Sequence, residues 1–329
     1  MLDKADKAPT LDDVATLAGV SSATVSRYLN SPDVVAKATA ERIAKAIKEI
    51  GYIPNLLAGG LASSRSRQVS VLIPHLSDSI FNETIESMSE ELVAGGITVM
   101  LGLTGVSAER TAKLIMAALS RRVDAIISTG LLTPEIEDLL RRSKVRFIQI
   151  WELPENPIDI AIGFSHREVG RDIARFLRTR GYRLPHIITA EGKRAAQRRD
   201  GFVAEWQASG GEVPTEDSVT IPSRFGHARR AFAEMRRLER MPDVVVCGSD
   251  HLAQGIIVEA QFAGLRVPED LAVIGFGNAS LAGEMRPTIT TVDIDGARIA
   301  REAIAAIDRA DSGNRIVDVG FRLIARESA

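Results

Sequence analysis

The sequence is poor in the residues that build cross-linked or metal-stabilised folds, and it has no long apolar run. Among its 329 residues there is one cysteine, Cys247, which excludes a disulfide framework and a zinc site made of several cysteines. No stretch reaches the roughly 18 apolar residues of a membrane span. Residues 1–10 are mostly polar or charged and lack the apolar segment of a secretory signal. We therefore expect a cytoplasmic protein with no membrane partner.

The sequence also lacks the residue patterns of the common enzyme classes. Its five histidines are scattered, without metal-ligand spacing. It contains no Walker loop and no nucleophile elbow, and residues 275–277 (Gly-Phe-Gly) do not complete a dinucleotide fingerprint. Cys247 follows three valines in a predicted strand, the usual setting of a buried, unreactive thiol. We predict that the protein is not an enzyme and uses no cofactor or metal.

Residues 10–51 have the pattern of three short helices. Thr10 and Asp13 predict a capping box at the start of the first helix, which Gly19 is expected to end. Ser21 can cap a second helix, and a third is expected to stop at Gly51. A glycine-containing turn between two short helices is typical of a helix-turn-helix.

From about residue 69 the pattern changes to an α/β one. Short runs rich in β-branched residues alternate with amphipathic helical stretches, which predicts parallel sheets built from βαβ units. So many strands fit two sheets better than one. The runs are residues 69–73, 97–101, 123–127, 147–150, 158–162, 186–189, 244–247, 271–274 and 289–292.

Residues 11–15 (Leu-Asp-Asp-Val-Ala), 18–21 (Ala-Gly-Val-Ser) and 24–27 (Thr-Val-Ser-Arg) resemble the DNA-binding domain of the lactose/galactose repressor (LacI/GalR) family. The resemblance continues through residues 51–55 and implies a second helix that reads the major groove of double-stranded DNA, where Arg27 can bind guanine. It also implies a hinge at about 55–62 that folds on the operator and wedges Leu61 into the minor groove, although the glycines at 59 and 60 also fit a flexible linker. The implied DNA-binding residues are Thr10, Ser21, Ser22, Ala23, Thr24, Ser26, Arg27, Asn30, Tyr52, Asn55, Ala58, Leu61 and Ala62.

One departure from the family pattern falls in the third helix. Family members usually begin this helix with a serine cap after valine, whereas Ala36 follows Val35 here. A lost cap typically costs about 1 kcal/mol. We therefore expect a weaker start to this helix.

Residues 243–250 and 264–276 resemble the same family, so the resemblance extends over essentially the whole chain. It implies a head at 1–67 and a two-lobed, periplasmic-binding-protein-like core at 68–329, with doubly wound parallel sheets, that binds an effector and dimerises. The first lobe would comprise about 68–164 and 296–322, and the second about 165–295 and 323–329. The implied effector-binding residues are Asp78, Phe81, Trp151, Glu152, Phe164, Arg198, Phe225, Asp250 and Asn278. Other roles also fit some of them: a helix cap for Asp250, core positions for Phe81 and Phe164, and an ion pair for Arg198.

Residues 52–55, 158–164 and 264–276 resemble the gluconate-operon repressors of this family. Asn278 stands where family members that bind neutral sugars often carry an acid, and an arginine fork suits a carboxylate, so the effector is expected to be a sugar acid. We predict a homodimeric repressor of a carbohydrate or sugar-acid operon that gluconate or a ketogluconate releases from a near-palindromic operator. A corepressor-dependent regulator and a sugar-binding protein without DNA function are the alternatives.

Overall fold

A computed structural model describes residues 8–54, 66–77, 79–309 and 314–329. The chain divides into two compact units, Met1–Ser66 and Arg67–Ala329, which we call the head and the core. Among the described residues no helix has both the length and the apolar character needed to cross a bilayer.

The head consists of α1 (Leu11–Ala18), α2 (Ser22–Asn30), a short 3₁₀ turn (Pro32–Val34) and α3 (Lys37–Ile50). The predicted capping box of Thr10 and Asp13 and the cap at Ser21 are confirmed, and Gly19 ends α1 with a φ of 63°. Ala36 provides no side-chain cap for α3, as expected. Val14, Val25 and Ile43 are fully buried and hold the three helices together.

The core contains a six-stranded parallel sheet with the order β11-β5-β4-β3-β1-β2. Every strand pairs in register with its neighbours, as between Val69 and Val99 of β1 and β2. We call this sheet and the helices packed on it the first lobe. The strands are β1 (Gln68–Ile73), β2 (Thr98–Leu103), β3 (Ala125–Ser128), β4 (Arg146–Ile150), β5 (Ile160–Gly163) and β11 (Arg315–Asp318).

A second parallel sheet, with the order β7-β6-β8-β9, forms the second lobe with its helices. Its strands are β6 (Pro185–Ala190), β7 (Thr215–Val219), β8 (Val244–Cys247) and β9 (Ala272–Ile274). The strands β10 (Thr291–Asp293) and β12 (Arg322–Ile324) pair separately as an antiparallel ribbon. Cys247 is buried, and burial raises the pKa of its thiol, so the prediction of an unreactive cysteine fits its surroundings.

Nine core helices are described between and after these strands. They are α4 (Asn82–Ala94), α5 (Ala108–Ser120), α6 (Pro134–Arg142), α7 (His166–Thr179), α8 (Lys193–Ala208), α9 (Phe225–Met235), α10 (Asp250–Phe262), α11 (Ser280–Glu284) and α12 (Gly296–Ile307). The apolar runs of the sequence mark the buried strands correctly. The strands β7, β11 and β12 were not predicted from the sequence. They carry charged or polar residues and are largely exposed, as edge strands often are.

Candidate DNA-binding helix and effector cleft

The second helix of the head presents a polar face opposite the head's apolar core. Val25 is fully buried, which directs the other side of α2 outward. The residues on that side recur at three- and four-residue intervals, the spacing of one helical face. They are Ser22, Ala23, Ser26, Arg27 and Asn30.

Most polar groups of this helix already have partners within the head. The Ser22 hydroxyl donates to the carboxylate of Asp12, and the Asn30 side-chain amide donates to the carbonyl of Ser26 at 2.9 Å. Arg27 is exposed and makes no ion pair with any described residue. The α2 face therefore offers one long cationic side chain among small polar groups.

The other predicted DNA-binding residues have mixed positions. Thr10, Ser21 and Thr24 lie at the capped starts of α1 and α2, where their hydroxyls already make local hydrogen bonds. The Tyr52 side chain is 9% exposed and packs in the head's core. Asn55, Ala58, Leu61 and Ala62 lie outside the described residues.

The core contains a cavity of about 310 Å³ where strands of both sheets end. Pro74, Thr129 and Trp151 line it directly after β1, β3 and β4, and Ala190 and Gly248 line it at the ends of β6 and β8. Ligands of doubly wound sheets bind outside the carboxyl ends of the strands. The cavity therefore occupies the position that this topology favours for a ligand, and we call it the cleft.

Two glycines allow α8 to reach the cleft. A Cβ at Gly170 of α7 would lie 2.0 Å from the carbonyl oxygen of Arg198, and one at Gly201 of α8 would lie 2.1 Å from that of Arg167. The two helices thus pack backbone against backbone, which no larger residue at either position would permit without movement. This contact fixes α8 so that Arg194 and Arg198, one turn apart, both line the cleft.

Aromatic rings pack beneath and beside these two arginines. The Trp151 ring lies 5.1 Å from that of Phe81 and 5.7 Å from that of Phe164, both edge-on. The Arg194 guanidinium lies 5.5 Å from the centre of the Phe81 ring, and that of Arg198 lies 4.0 Å from the centre of the Phe276 ring. Cation–π contacts of this kind hold a guanidinium against an apolar floor.

A buried histidine lies next to the second arginine. The Nε2 of His166 is 2.9 Å from the carbonyl oxygen of Trp151, and its Nδ1 is 3.0 Å from Nη1 of Arg198. Burial, followed by the charges of Arg198 and Arg194, lowers the pKa of His166 to about 2, although the bond to Trp151 acts in the opposite direction. The ring is therefore neutral at physiological pH.

The first lobe adds acceptors to the wall of the cleft. Glu137 and Glu152 line it, and neither side-chain carboxylate makes a hydrogen bond or ion pair with another described residue. Thr129 is 6% exposed, and its hydroxyl lacks a hydrogen-bond partner among the described residues. The cleft thus has Arg194 and Arg198 on its second-lobe side, together with the acidic residue Glu191, and it has carboxylates and a hydroxyl on its first-lobe side.

Comparison with known proteins decides the family. A family model for bacterial regulatory proteins of the lacI family matches residues 10–55, and one for periplasmic binding protein-like domains matches residues 174–329. The HTH-type transcriptional regulator GntR of Escherichia coli is 30% identical over 323 residues, which cover 96% of this chain and 97% of that protein. This chain belongs to the LacI family.

Two further likenesses agree with that assignment. GntR of Pseudomonas aeruginosa is 31% identical over 327 residues, covering 97% of this chain and 95% of that protein. The crystal structure of a LacI family transcriptional regulator from Silicibacter pomeroyi superposes with a TM-score of 0.89 at 27% identity, covering 97% of this chain and 99% of that one. The predicted fold class is confirmed, and the LacI-family protein is a DNA-binding transcriptional regulator and not an enzyme.

The LacI-family core brings four of the predicted effector residues to the wall of the cleft. Phe81, Trp151, Glu152 and Arg198 line the cleft, whereas Phe164 lies behind Trp151 with no exposed surface. Phe225 begins α9, and it, Asp250 and Asn278 are absent from the cavity wall. Asp78 lies outside the described residues.

Asp250 and Asn278 instead bond to residues on and beside the antiparallel ribbon of β10 and β12. The Asp250 carboxylate accepts bonds from the Thr291 hydroxyl at 2.6 Å and the Ala279 amide at 2.7 Å, and burial raises its pKa. The Asn278 side chain bonds to Asp293 at 3.0 Å and to Arg326 at 2.7 Å. The alternative of a helix cap at Asp250 is wrong, because the Ser249 hydroxyl caps α10.

Several residues of the cleft were not singled out from the sequence. Arg194 precedes Arg198 by four residues, so helical spacing within α8 could have found it. Thr129, Glu137 and His166 belong to separate elements and form no local motif. Only the packing of the two lobes brings them to one cavity.

Proposed function

We propose that this regulator represses a sugar-acid catabolic operon and that gluconate or a ketogluconate, bound in the cleft, releases it from its operator. The observation that carries the proposal is the pair of arginines, Arg194 and Arg198, in the wall of a cavity with an apolar floor. A guanidinium suits a carboxylate because it offers two parallel N–H donors.

The rest of the cleft complements the remainder of such a ligand. Hydroxyl groups can donate to the carboxylates of Glu137 and Glu152, while the carbon chain lies over Trp151 and Phe81. A volume of about 310 Å³ lies at the small end of ligand pockets, which suits a six-carbon acid better than a larger ligand. The similarity to relatives named GntR also supports a sugar-acid effector.

On the DNA side, we propose that two copies of the chain form a homodimer in the cytoplasm and place their α2 faces in successive major grooves. Half-sites of a near-palindromic operator would then lie about 34–36 Å apart. Arg27 would supply the base contact, the predicted small polar residues of α1 and α2 would bind phosphates, and Leu61 would wedge the minor groove.

A gel shift tests both halves of the proposal. The full-length protein is mixed at fixed salt with DNA from upstream of its own gene, with and without gluconate, 2-ketogluconate and glucose. A specific shift released by the acids but not by glucose is the expected result. A shift strengthened by the acids would reverse the switch to corepression, and no specific shift at any salt would overturn the operator assignment.

The arginine pair has its own test in the same assay. Arg198→Ala should raise the gluconate concentration needed for release at least tenfold, since a charged hydrogen bond is worth about 1.5–3 kcal/mol. Arg229→Ala is the matched control, because Arg229 on α9 pairs with Glu259 on α10 and does not line the cleft. Equal responses of the two variants would remove Arg198 from the ligand site.

A further inference from the structure

His166 is the first residue of α7 and lies where the chain passes from the first lobe to the second. Its side chain is 4% exposed, and both of its ring nitrogens are engaged. One nitrogen faces the main chain of Trp151 at the end of β4, and the other faces the guanidinium of Arg198 on α8. The ring therefore bridges two elements that belong to different lobes.

The two partners determine which ring nitrogen carries the proton. The carbonyl oxygen of Trp151 can only accept a hydrogen bond, so Nε2 must donate to it. The guanidinium of Arg198 can only donate, so Nδ1 must accept from it. A neutral imidazole with its proton on Nε2 satisfies both, whereas a protonated ring would place an N–H against Arg198.

The surroundings keep the ring in this state. Phe164 lies 4.5 Å and Phe276 lies 6.4 Å from its ring centre, and the charged groups that act on it are Arg198 and Arg194. Apolar packing and two nearby cations both oppose a positive charge on the ring. His166 thus remains an acceptor throughout the physiological pH range.

We propose that His166 is a positioning residue for effector binding: its neutral ring holds the Arg198 guanidinium in the wall of the cleft and ties it to the main chain at Trp151. The Arg198 guanidinium of the second lobe and the aromatic wall of the first lobe then contact the ligand in a fixed relative position. The identity of that ligand rests on the proposed function, but the arrangement of His166, Arg198 and Trp151 does not.

The first-lobe end of this connection is itself held in place. Trp151 has a φ of 68°, which few residues other than glycine adopt, so its backbone is fixed by its surroundings. Its indole N–H donates to the hydroxyl of Thr84 at 3.2 Å. The hydrogen-bonded path therefore runs from Arg198 through His166 and Trp151 to α4.

A ligand-independent experiment tests the state of the ring. Nitrogen NMR of the full-length protein with ring-labelled histidine should show His166 as the Nε2-protonated tautomer, without titration between pH 5 and 8. The signal is assigned by its loss in His166→Asn. A titration in this range, or a proton on Nδ1, would overturn the proposal whatever the effector is.

A matched pair of substitutions tests the positioning role. Asn retains an acceptor near the place of Nδ1, whereas Gln retains a donor near the place of Nε2. Calorimetry with gluconate should therefore show at least a tenfold weaker affinity for His166→Gln and a clearly smaller loss for His166→Asn. Equal or reversed losses would show that the ring acts by packing.

Two controls separate positioning from general damage. His186→Asn alters another buried histidine with both nitrogens bonded, to Thr215 and Asp217, and should leave gluconate affinity within about twofold. In the Arg198→Ala background, His166→Gln should cost no further affinity, because its effect passes through Arg198. An equal cost in both backgrounds would overturn the role. If the unaltered protein does not bind gluconate, the proposed effector fails, while the NMR result still tests the ring state on which the positioning role of His166 depends.

Discussion

The α2 face of the head takes its polar residues from nine consecutive positions, whereas the wall of the cleft takes its residues from strands and helices between Pro74 and Ser249. In the head, one short helix carries every residue of the α2 face, and packing only has to direct that face toward solvent. In the core, no single element forms the cavity. The comparison indicates that the α2 face can be altered one side chain at a time, while the cleft also depends on contacts that never touch a ligand.

The largest effect is expected from such a contact. Gly170→Ala would place a Cβ 2.0 Å from a backbone oxygen of α8, and backbone atoms cannot move aside as a flexible side chain can. We expect the core to lose about 3 kcal/mol or more of unfolding free energy. Tryptophan fluorescence during thermal unfolding reports this, since both tryptophans, Trp151 and Trp206, belong to the core.

Gly226→Ala is the matched control for this prediction. Gly226 also lies within a helix, but its Cβ would meet nothing within 4 Å. Alanine there should be neutral or stabilise by up to about 1 kcal/mol. Similar losses in the two variants would show that the contact of α7 with α8 is not the cause.

The α2 face should respond to a single exposed side chain. Arg27→Ala is expected to weaken operator binding by about 1–3 kcal/mol, or roughly 5- to 150-fold, without changing the unfolding of the head. Fluorescence anisotropy with operator and scrambled DNA measures the loss. Lys48→Ala, an exposed cation at the end of α3, serves as the control and should affect both DNAs alike. A loss of equal size on both DNAs for Arg27→Ala would assign it to phosphate binding.

This difference also explains what the sequence could predict. The three head helices, their caps and the exposed residues of α2 follow from local spacing, so they were predicted nearly to the residue. The apolar runs located the buried strands, because strands covered on both faces are continuously hydrophobic. Edge strands such as β7 gave no such signal.

The cleft was less predictable, for a physical reason. The resemblance to a family predicted Arg198 and Trp151 as residues of the cleft. Arg194 could also have been predicted, because it lies four residues before Arg198 on the same helix. The role of His166 depends on two hydrogen bonds to residues 15 and 32 positions away. Sequence separation of this kind leaves no local pattern. The resemblance also named Asp250 as a site residue, but its carboxylate bonds to Thr291 and Ala279 and does not line the cavity.

The stability of the head and that of the core should respond differently to acid, because all five histidines lie in the core. Burial lowers the pKa of His166 to about 2 and also lowers that of His186. The unfolded chain then binds more protons than the folded one below pH 6.5, so this stability is present above pH 6.5 and lost as the pH falls. The slope for His166 approaches about 1.4 kcal/mol per pH unit as the pH falls well below 6.5.

Urea unfolding at pH 7.5, 6.5 and 5.5, followed by tryptophan fluorescence, measures this dependence. His166→Asn should have a shallower slope than the unaltered protein over the lower interval, since one buried neutral histidine is gone. Circular dichroism of the head transition should show no comparable histidine contribution. An equal slope in His166→Asn and the unaltered protein over this interval would contradict the burial of a neutral ring at position 166.

The smallest effect is a gain in the head. Ala36 precedes α3 with a φ of −55° and a ψ of 135° but has no side chain that can accept a hydrogen bond. Ala36→Ser should satisfy an amide in the first turn of α3 and stabilise it by about 0.5–1 kcal/mol. Amide exchange at Ala38 and Thr39 should slow by roughly two- to fivefold.

The reverse change in the core, Ser107→Ala, removes the hydroxyl that accepts a hydrogen bond from the Arg110 amide at 3.1 Å and should cost about as much stability. Unchanged exchange at both positions in Ala36→Ser would mean that α3 is held by its apolar face and not by its first turn.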